Sequence, residues 1–187
     1  MGEMSGRLGG EREELGEEPE RRPSTGSPDA QGARWLRRRI AAAVTAVTTV
    51  TANQFRASTV TTSFVASIEP LLVLVALEAH GQMAEWIEGS RVFGLNVLAW
   101  RDQLLADRFA GLAPRAPPRF DGIPFITAET GAPLLTSAIA WADCRVEETL
   151  VAGDHQCFIG RVLALGAGAG DEEEALMYYL NRYRRPR

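Results

Sequence analysis

The chain has 187 residues, a net charge of −4 and 45% hydrophobic residues, a size and composition typical of one domain with one sizeable core. Its acidic balance gives no footprint for nucleic acid, and it lacks the run of about 18 apolar residues that predicts a membrane span. Its first residues lead into acidic sequence, unlike a signal peptide, so we expect a cytoplasmic protein. All 20 basic residues are arginine, which indicates GC-rich coding and a bacterial source.

The beginning of the chain differs in composition from the rest. Residues 1–34 contain mainly Gly, Pro, Ser and charged side chains, and Leu8 and Leu15 are their only large aliphatic residues besides methionine. Such a segment cannot bury enough apolar surface to offset its conformational entropy. The sequence therefore predicts a disordered tail over residues 1–34 and a folded domain over residues 35–187.

The first part of the predicted domain is rich in β-branched residues. Residues 41–51 are dominated by valine, threonine and alanine, which favours a strand, and Asn53 marks the turn that follows. Residues 58–65 form a second β-rich run that carries five hydroxyl side chains. After Pro70, the continuous apolar run 71–77 predicts a strand that is buried on both faces.

The second part alternates short helical patterns with further strands. Helical spacing is found in residues 82–89 and 102–109. Strand patterns are found in residues 93–98 and 138–148 and in the run that ends at residue 165, and a closing segment covers 175–183. Residues 114–118 predict a proline-bearing loop. At least six strands and two short helices predict a mainly β fold, a β-barrel with short capping helices.

Two cysteines and two histidines limit the redox and metal chemistry. Cys144 and Cys157 flank a predicted hairpin with its midpoint near residue 152, which leaves the two cysteines about three positions apart in register, or roughly 10 Å. This distance exceeds the reach of a disulfide, so we expect two reduced, buried thiols. Because His80 and His155 are far apart and the cysteines do not cluster, the sequence predicts no metal site.

The predicted hairpin turn is the clearest local signal in the chain. Gly153 allows a sharp reversal with positive φ, Asp154 can bond its own backbone, and His155 then stands at the edge of an apolar strand. An imidazole in this place can hydrogen-bond a ligand. Two interpretations are open on local chemistry alone: a plain turn with a surface histidine, or part of a binding site.

Motifs of several other enzyme classes are absent. No glycine-rich dinucleotide fingerprint opens a helix, and no phosphate-binding loop ends in Gly-Lys-Ser/Thr. No nucleophile elbow supports a Ser-His-Asp hydrolase. A dinucleotide, if one binds, is therefore bound outside a Rossmann fold.

Short segments follow one another along the domain in a distinctive order: 44–49, 67–70 before 72–75, 93–98, 102–111, 131–135, 144–146, 153–155 and 178–183. Together, over roughly residues 36–184, they resemble the flavin reductase-like, FMN-binding split-barrel family, which includes reductase components of two-component flavin-dependent monooxygenases. The resemblance implies a Greek-key split β-barrel that forms a homodimer, with flavin in a groove near the subunit interface.

The resemblance assigns flavin contacts to two segments, and each also has a purely structural interpretation. The first segment comprises Thr59, Val60, Thr61 and Thr62, and it matches the strand that lies along the flavin ring and phosphate in the family. Its backbone N–H and hydroxyl groups can bond these parts of flavin, or the segment is only an exposed strand face. The second segment comprises Ser67, Ile68 and Glu69. It matches a flavin-contacting turn of the family, or it is only a turn between two strands.

This chain departs from the family at the expected phosphate site. The family commonly has Ser-x-Thr after the buried strand, where this chain has His80-Gly81-Gln82. His80 and Gln82 can still donate hydrogen bonds to a phosphate, and a surface histidine in a loop is the alternative. The preference for FMN or FAD stays open at this point.

The resemblance also implies the reaction, in which hydride passes from NADH or NADPH to FMN or FAD. His155 is the candidate catalytic residue, with the role of orienting the nicotinamide or the flavin edge, and Tyr183 closes the same pocket or is simply a core tyrosine. The implied partner is a monooxygenase that receives the reduced flavin. The alternatives are a flavin-binding protein without reductase activity and a repurposed flavin-dependent enzyme of a biosynthetic pathway.

Overall fold

The computed structural model of the chain describes residues 29–113 and 120–186. Its first element is helix α1 (Ala30–Arg39), whose start is capped by the Asp29 carboxylate, which accepts a 2.6 Å hydrogen bond from the Gly32 N–H. Residues 1–28 of the predicted disordered tail lie outside the described residues. The last five residues of that tail, 30–34, are helical. A capped run of good helix formers accounts for this difference.

Contacts within the chain define a second compact unit, Arg38–Arg187, which carries all the strands described. Its helices are α2 (Gln82–Ser90), a 3₁₀ turn (Trp100–Asp102) and α3 (Gln103–Phe109). Its strands are β1 (Ala42–Ala43), β2 (Thr45–Thr51), β3 (Gln54–Val60), β4 (Ser63–Ser67), β5 (Leu72–Glu78), β6 (Val92–Val97), β7 (Phe125–Ile126), β8 (Leu134–Leu135), β9 (Ala140–Ala152), β10 (His155–Ala167), β11 (Met177–Tyr179) and β12 (Arg182–Arg184). The predicted loop 114–118 lies outside the described residues.

The main sheet has seven antiparallel strands in the order β3-β2-β6-β9-β10-β5-β4. Its two edge strands, β3 and β4, are consecutive in sequence and are joined only by Thr61 and Thr62. Because two residues span only about 7–10 Å, the edges of the sheet must lie side by side and the sheet must curl into a barrel. A 2.9 Å hydrogen bond between the hydroxyls of Thr45 and Ser63 joins β4 to β2, the strand next to the edge strand β3. The predicted mainly β barrel is confirmed.

Two predictions about individual strands are wrong. The run 58–65 is not one strand, because the chain breaks at residues 61–62 to pass from one edge of the sheet to the other. The run 71–77 is buried on one face only, since Val73, Val75 and Leu77 are buried while the residues between them are half-buried. Apolar sequence alone does not reveal which face of a strand is covered.

The hairpin of β9 and β10 turns at Gly153 and Asp154, and Gly153 has a φ of +66°. Because the turn is centred later than predicted, Cys157 pairs with Leu150 rather than with a residue near 147. Both cysteines are buried free thiols, as predicted.

Two apolar clusters lie on the two faces of β2. The first, which includes Val47 and Phe93, receives Met83 and Ile87 from α2, as the helical pattern predicted, while Trp86 is half-buried. The second cluster brings α3 and the segment before β11 onto the opposite face of β2; its buried members are Val44, Ala46, Ala57, Leu98, Ala106, Phe109, Leu135, Ala138 and Leu176. Within residues 29–113 and 120–186, no helix is long and apolar enough to cross a membrane.

A buried amide fastens the second cluster to the sheet. Asn96 on β6 is fully buried, and its Nδ2 donates to the Ala46 carbonyl at 3.1 Å, while its Oδ1 accepts from the Leu135 N–H at 2.7 Å. Thr48 lies beside it and donates its hydroxyl hydrogen bond to the Pro133 carbonyl. One side chain therefore satisfies backbone groups of two separate elements in the core.

We predict that Asn96→Ala lowers the free energy of unfolding by about 2–4 kcal/mol, because it leaves the Leu135 N–H buried without its partner and removes the side-chain bond to the Ala46 carbonyl. Urea unfolding followed by circular dichroism measures this change. Thr127→Ala, in an exposed loop, is the control and should change the value by less than about 0.5 kcal/mol. Equal stability of the two variants would show that the Asn96 bonds do not fasten the second cluster to the sheet.

Candidate functional site

The Gly-Asp-His turn and the connection between β5 and α2 lie side by side. His155 pairs with Glu78 in the register of β10 and β5, and the Ala79 N–H donates to the Asp154 carbonyl at 2.9 Å. The connection carries His80 and leads directly to Gln82, so three of the predicted site residues lie at the same end of the sheet. The sequence predicted these residues separately, and the strand register brings them together.

The imidazole of His155 is held by its neighbour in sequence. Its side chain is 36% exposed, and Nδ1 lies 2.7 Å from Oδ1 of Asp154. This hydrogen bond, with the charge interaction of the same pair, holds the pKa of Asp154 below its usual range. With Nδ1 bonded to the carboxylate, Nε2 is the ring nitrogen left for a ligand.

A polar group on α2 supports the hairpin that carries His155. Glu88 accepts a 3.0 Å hydrogen bond from Nε2 of Gln156, the residue after His155. Arg91, which follows α2, donates to the Thr149 hydroxyl at 3.2 Å on the opposite strand of the hairpin. The hairpin is therefore tied to the same helix that begins at Gln82.

The segment Thr59–Thr62 forms the corner of the barrel, and two of its hydroxyls are used within the protein. Thr59 donates its hydroxyl to the Ala106 carbonyl at 2.7 Å, and Thr62 donates its hydroxyl to the Ala76 carbonyl at 2.6 Å. The Val60 side chain packs against the first apolar cluster. In this structure the Thr59 and Thr62 hydroxyls therefore donate within the protein, and their contact with flavin stays a prediction.

The backbone of the same corner offers N–H groups that can donate hydrogen bonds to a ligand. Thr61 and Thr62 are exposed, and within the described part of the chain their N–H groups donate no hydrogen bond. In particular, the Thr62 hydroxyl takes the Ala76 carbonyl that its own N–H would otherwise bond. Two adjacent unpaired N–H groups fit the polar edge of a flavin ring or a phosphate oxygen, so the donors present suit the expected ligand.

Tyr183 is anchored on the other side of this corner. Its hydroxyl donates a 2.7 Å hydrogen bond to Oδ1 of Asp107 on α3, next to the Ala106 carbonyl that holds Thr59. Burial, and then the bond to the Asp107 carboxylate, raise the pKa of Tyr183. Helix α3 thus bonds Tyr183 and Thr59 through adjacent residues, and the role of Tyr183 in closing a flavin pocket stays a prediction.

The predicted turn of Ser67, Ile68 and Glu69 is not part of this group. Ser67 pairs with Leu72 at the start of β5, whereas His155 pairs at the end of the same strand. The length of β5 separates the two places by roughly 20 Å. The turn is on the surface, and Ile68 is 79% exposed.

Three groups in the site escaped sequence reasoning. The Ala79 N–H, the Ala106 carbonyl and the Asp107 carboxylate each position a predicted residue, as described above. Two of them are backbone groups, which carry no residue signal, and Asp107 lies within an ordinary helical pattern. Among the described residues, no group of three or more His, Cys, Asp or Glu side chains could hold a metal ion.

Residues 37–187 match the model of the flavin reductase like domain family, so the chain belongs to this family. It is 35% identical over 146 residues to the FMN reductase (NADH) RutF of Agrobacterium fabrum, which covers 78% of this chain and 82% of the relative. It is 36% identical over 117 residues to HsaB of Rhodococcus jostii, named as the reductase subunit of a flavin-dependent monooxygenase, which covers 63% of this chain and 57% of that relative.

The solved structures show the same fold. The flavin reductase PheA2 superposes with a TM-score of 0.78 at 26% sequence identity, over 86% of this chain and 99% of that chain. The likeness confirms the predicted split-barrel fold.

Proposed function

We propose that this protein is an NADH- or NADPH-dependent flavin reductase that transfers hydride to FMN or FAD. The observation that carries the proposal is the barrel corner, where the N–H groups of Thr61 and Thr62 donate no hydrogen bond within the described residues and where Thr59 and Tyr183 are both bonded to α3. Its membership of the flavin reductase like family and the names of RutF and HsaB support the same reaction class.

In this reaction the nicotinamide gives a hydride to the oxidised flavin, which also takes up a proton from solvent, and oxidised nicotinamide leaves. The protein binds and orients both partners, since no side-chain nucleophile is required. The N–H groups of Thr61 and Thr62 bond the polar edge of the flavin, where negative charge develops on reduction. His155 orients the nicotinamide through Nε2, while Asp154 fixes the ring.

The two ends of the groove have separate roles in the proposal. His80 and Gln82 stand where the family places phosphate donors, and both lie next to the His155 turn. Tyr183 closes the groove on the α3 side, held by Asp107. The turn of Ser67–Glu69, roughly 20 Å from His155 in the same subunit, is available to reach the groove from a second copy of the chain.

A homodimer is therefore part of the proposal. Large apolar side chains are exposed on β4 and on the β9–β10 hairpin: Phe64, Val65, Leu150 and Val151. Exposed apolar patches on a folded protein mark surfaces that other molecules cover. A flavin-dependent monooxygenase that receives reduced flavin is the proposed partner, in line with the name of HsaB. The cytoplasmic location stays a prediction.

The experiment that tests the activity mixes purified protein with FMN or FAD and with NADH or NADPH, and follows the absorbance of the reduced nicotinamide. Rapid flavin-dependent oxidation is expected. A protein that binds flavin but oxidises no nicotinamide would instead be a binding protein or a repurposed redox enzyme. A protein that neither binds flavin nor oxidises nicotinamide would contradict the whole proposal.

We predict that His155→Ala raises the KM for the nicotinamide about tenfold and changes kcat little, because one hydrogen bond of about 1.4 kcal/mol is lost in both ground state and transition state. Steady-state kinetics with saturating flavin measure this. Arg145→Ala, on the exposed face of β9, is the matched control and should leave KM unchanged. An unchanged KM in His155→Ala removes this residue from the site.

We further predict that Phe64→Glu converts the dimer to a monomer, because it buries a charge in an apolar interface. Light scattering coupled to gel filtration should show the mass halve. Leu104→Glu is the control, since Leu104 is 83% exposed but stands on α3, away from β4. A monomeric parent protein, or a dimeric Phe64→Glu variant, would contradict this interface.

A further inference from the structure

The outer face of four neighbouring strands, β4, β5, β10 and β9, is defined by their register. Val75 and Phe158 pair with each other, and both belong to the first apolar cluster inside the barrel. Because side chains alternate across a strand, Leu74 and Ile159, which pair in the next row, point outward. Residues that pair across two strands share a face, so the outer face can be followed row by row.

The middle of this outer face is largely apolar and incompletely covered. One row runs from Phe64 on β4 through Leu74 and Ile159 and ends at Glu148 on β9, and Leu150 lies in the next row. Phe64 is 58% exposed, Leu150 is 43% exposed, and Leu74 and Ile159 are half-buried. An apolar patch of this kind on a folded protein marks a surface that another molecule covers.

The end of the face at the start of β5 is basic. In the register, Arg161 on β10 stands between Leu72 on β5 and Arg145 on β9. Like charges directly opposite each other are unfavourable, and Glu147 offsets only one of them through its ion pair with Arg161. Within residues 29–113 and 120–186, Arg145 forms no ion pair. This end therefore carries a net positive charge.

The opposite end of the same face is acidic. Glu78, the last residue of β5, is exposed and pairs with His155. Asp154, which bonds the His155 imidazole, has a side chain that is 95% exposed. Arg161 and His155 are six positions apart on β10, so the two charged ends lie roughly 20 Å from each other.

Opposite charges at the two ends fix how a second copy of the chain can cover this face. A twofold axis that lies in the interface and runs across the strands makes the two faces antiparallel, so the basic end of each copy meets the acidic end of the other. Arg161 then faces His155 and Glu78 of the second copy, while Arg145 faces its uncharged Ala152. An axis along the strands would set like ends together, which electrostatic complementarity disfavours.

We propose that two copies of the chain pack through this face with their strands antiparallel, so that Arg161 of each copy lies against Glu78 and the His155 turn of the other. This arrangement rests on the proposed homodimer and nicotinamide site, and it adds to that site a residue from the second copy. Glu78 and Asp154 alone would repel the diphosphate of a nicotinamide nucleotide, and a guanidinium from the second copy offsets their charge.

Reversing the charge of one end at a time tests the arrangement in the full chain. Arg161→Glu sets carboxylates against each other at both contacts, and Glu78→Arg sets guanidinium groups together, so each variant alone should dissociate at a concentration at which the parent chain is a dimer. An equimolar mixture of the two variants should regain the mass of a dimer, because both contacts then join opposite charges. Light scattering coupled to gel filtration measures the mass, and the rescue also shows that both variants are folded.

Arg182→Glu is the control for the mass measurement and should leave the dimer intact, since Arg182 is exposed on β12 in the three-stranded sheet. Two monomeric variants that stay monomeric when mixed, or an Arg161→Glu variant that stays dimeric, would overturn the arrangement. A monomeric parent chain would overturn it together with the proposed homodimer.

A kinetic measurement tests the contribution of Arg161 to the site. Arg161→Gln removes the charge without adding repulsion, so the dimer should persist while the KM for NADH rises about threefold. Within one chain Arg161 and His155 are roughly 20 Å apart, beyond the Debye length of about 8–10 Å, so this rise requires the second copy.

Arg182→Gln is the kinetic control and should leave the KM unchanged. An unchanged KM in a dimeric Arg161→Gln variant would remove Arg161 from the site. A dimeric parent chain that oxidises no NADH would contradict the proposed reductase, whereas the mixing of charge-reversed variants would still decide how the two copies pack.

Discussion

The closure of the barrel through two residues is the constraint on which the rest of the structure depends. The two edge strands of the sheet are neighbours in sequence, and Thr61 and Thr62 alone connect them. Because so short a link cannot connect the two edges of a flat seven-stranded sheet, the sheet must curve. The same link leaves the strand ladder to turn the corner, and within residues 29–113 and 120–186 its N–H groups donate no hydrogen bond. One constraint produces both the fold and the donors of the candidate site.

The remaining parts of the site are placed by strand register and by helix α3. The pairing of β5 with β10 sets His155 beside the connection that carries His80, and α3 bonds Thr59 and Tyr183 from adjacent residues. His155, Thr59 and Tyr183 lie on strands, and the turn that carries His80 is bonded to the His155 hairpin through the Ala79 N–H. The site is thus assembled on ordered elements, which suits a reaction that depends on positioning two ring systems rather than on a reactive side chain.

The sequence predicted the elements well and the contacts between them less well. Val and Thr around Val47, the turn at Asn53 and the helical spacing of Met83 and Ile87 are local patterns, and each is confirmed. Two features depend on which strands become neighbours. One is the break at Thr61, and the other is that the threonine hydroxyls bond carbonyls of other elements. Periodicity carries no such information, and no pattern in the sequence predicted either feature.

The closing segment of the domain has a consequence for how the protein folds. Tyr178 on β11 pairs with Ala42 on β1, and the Val44 N–H bonds the Leu176 carbonyl, so residues more than 130 positions apart must meet. Contacts between residues this far apart in sequence require the closure of a long loop, which costs entropy before the contact forms. We therefore expect them to form late in folding. Because β12 carries Tyr183, the proposed flavin site is complete only after β11 and β12 have paired with β1. Ligand binding would therefore mark the last event of folding rather than initiate it.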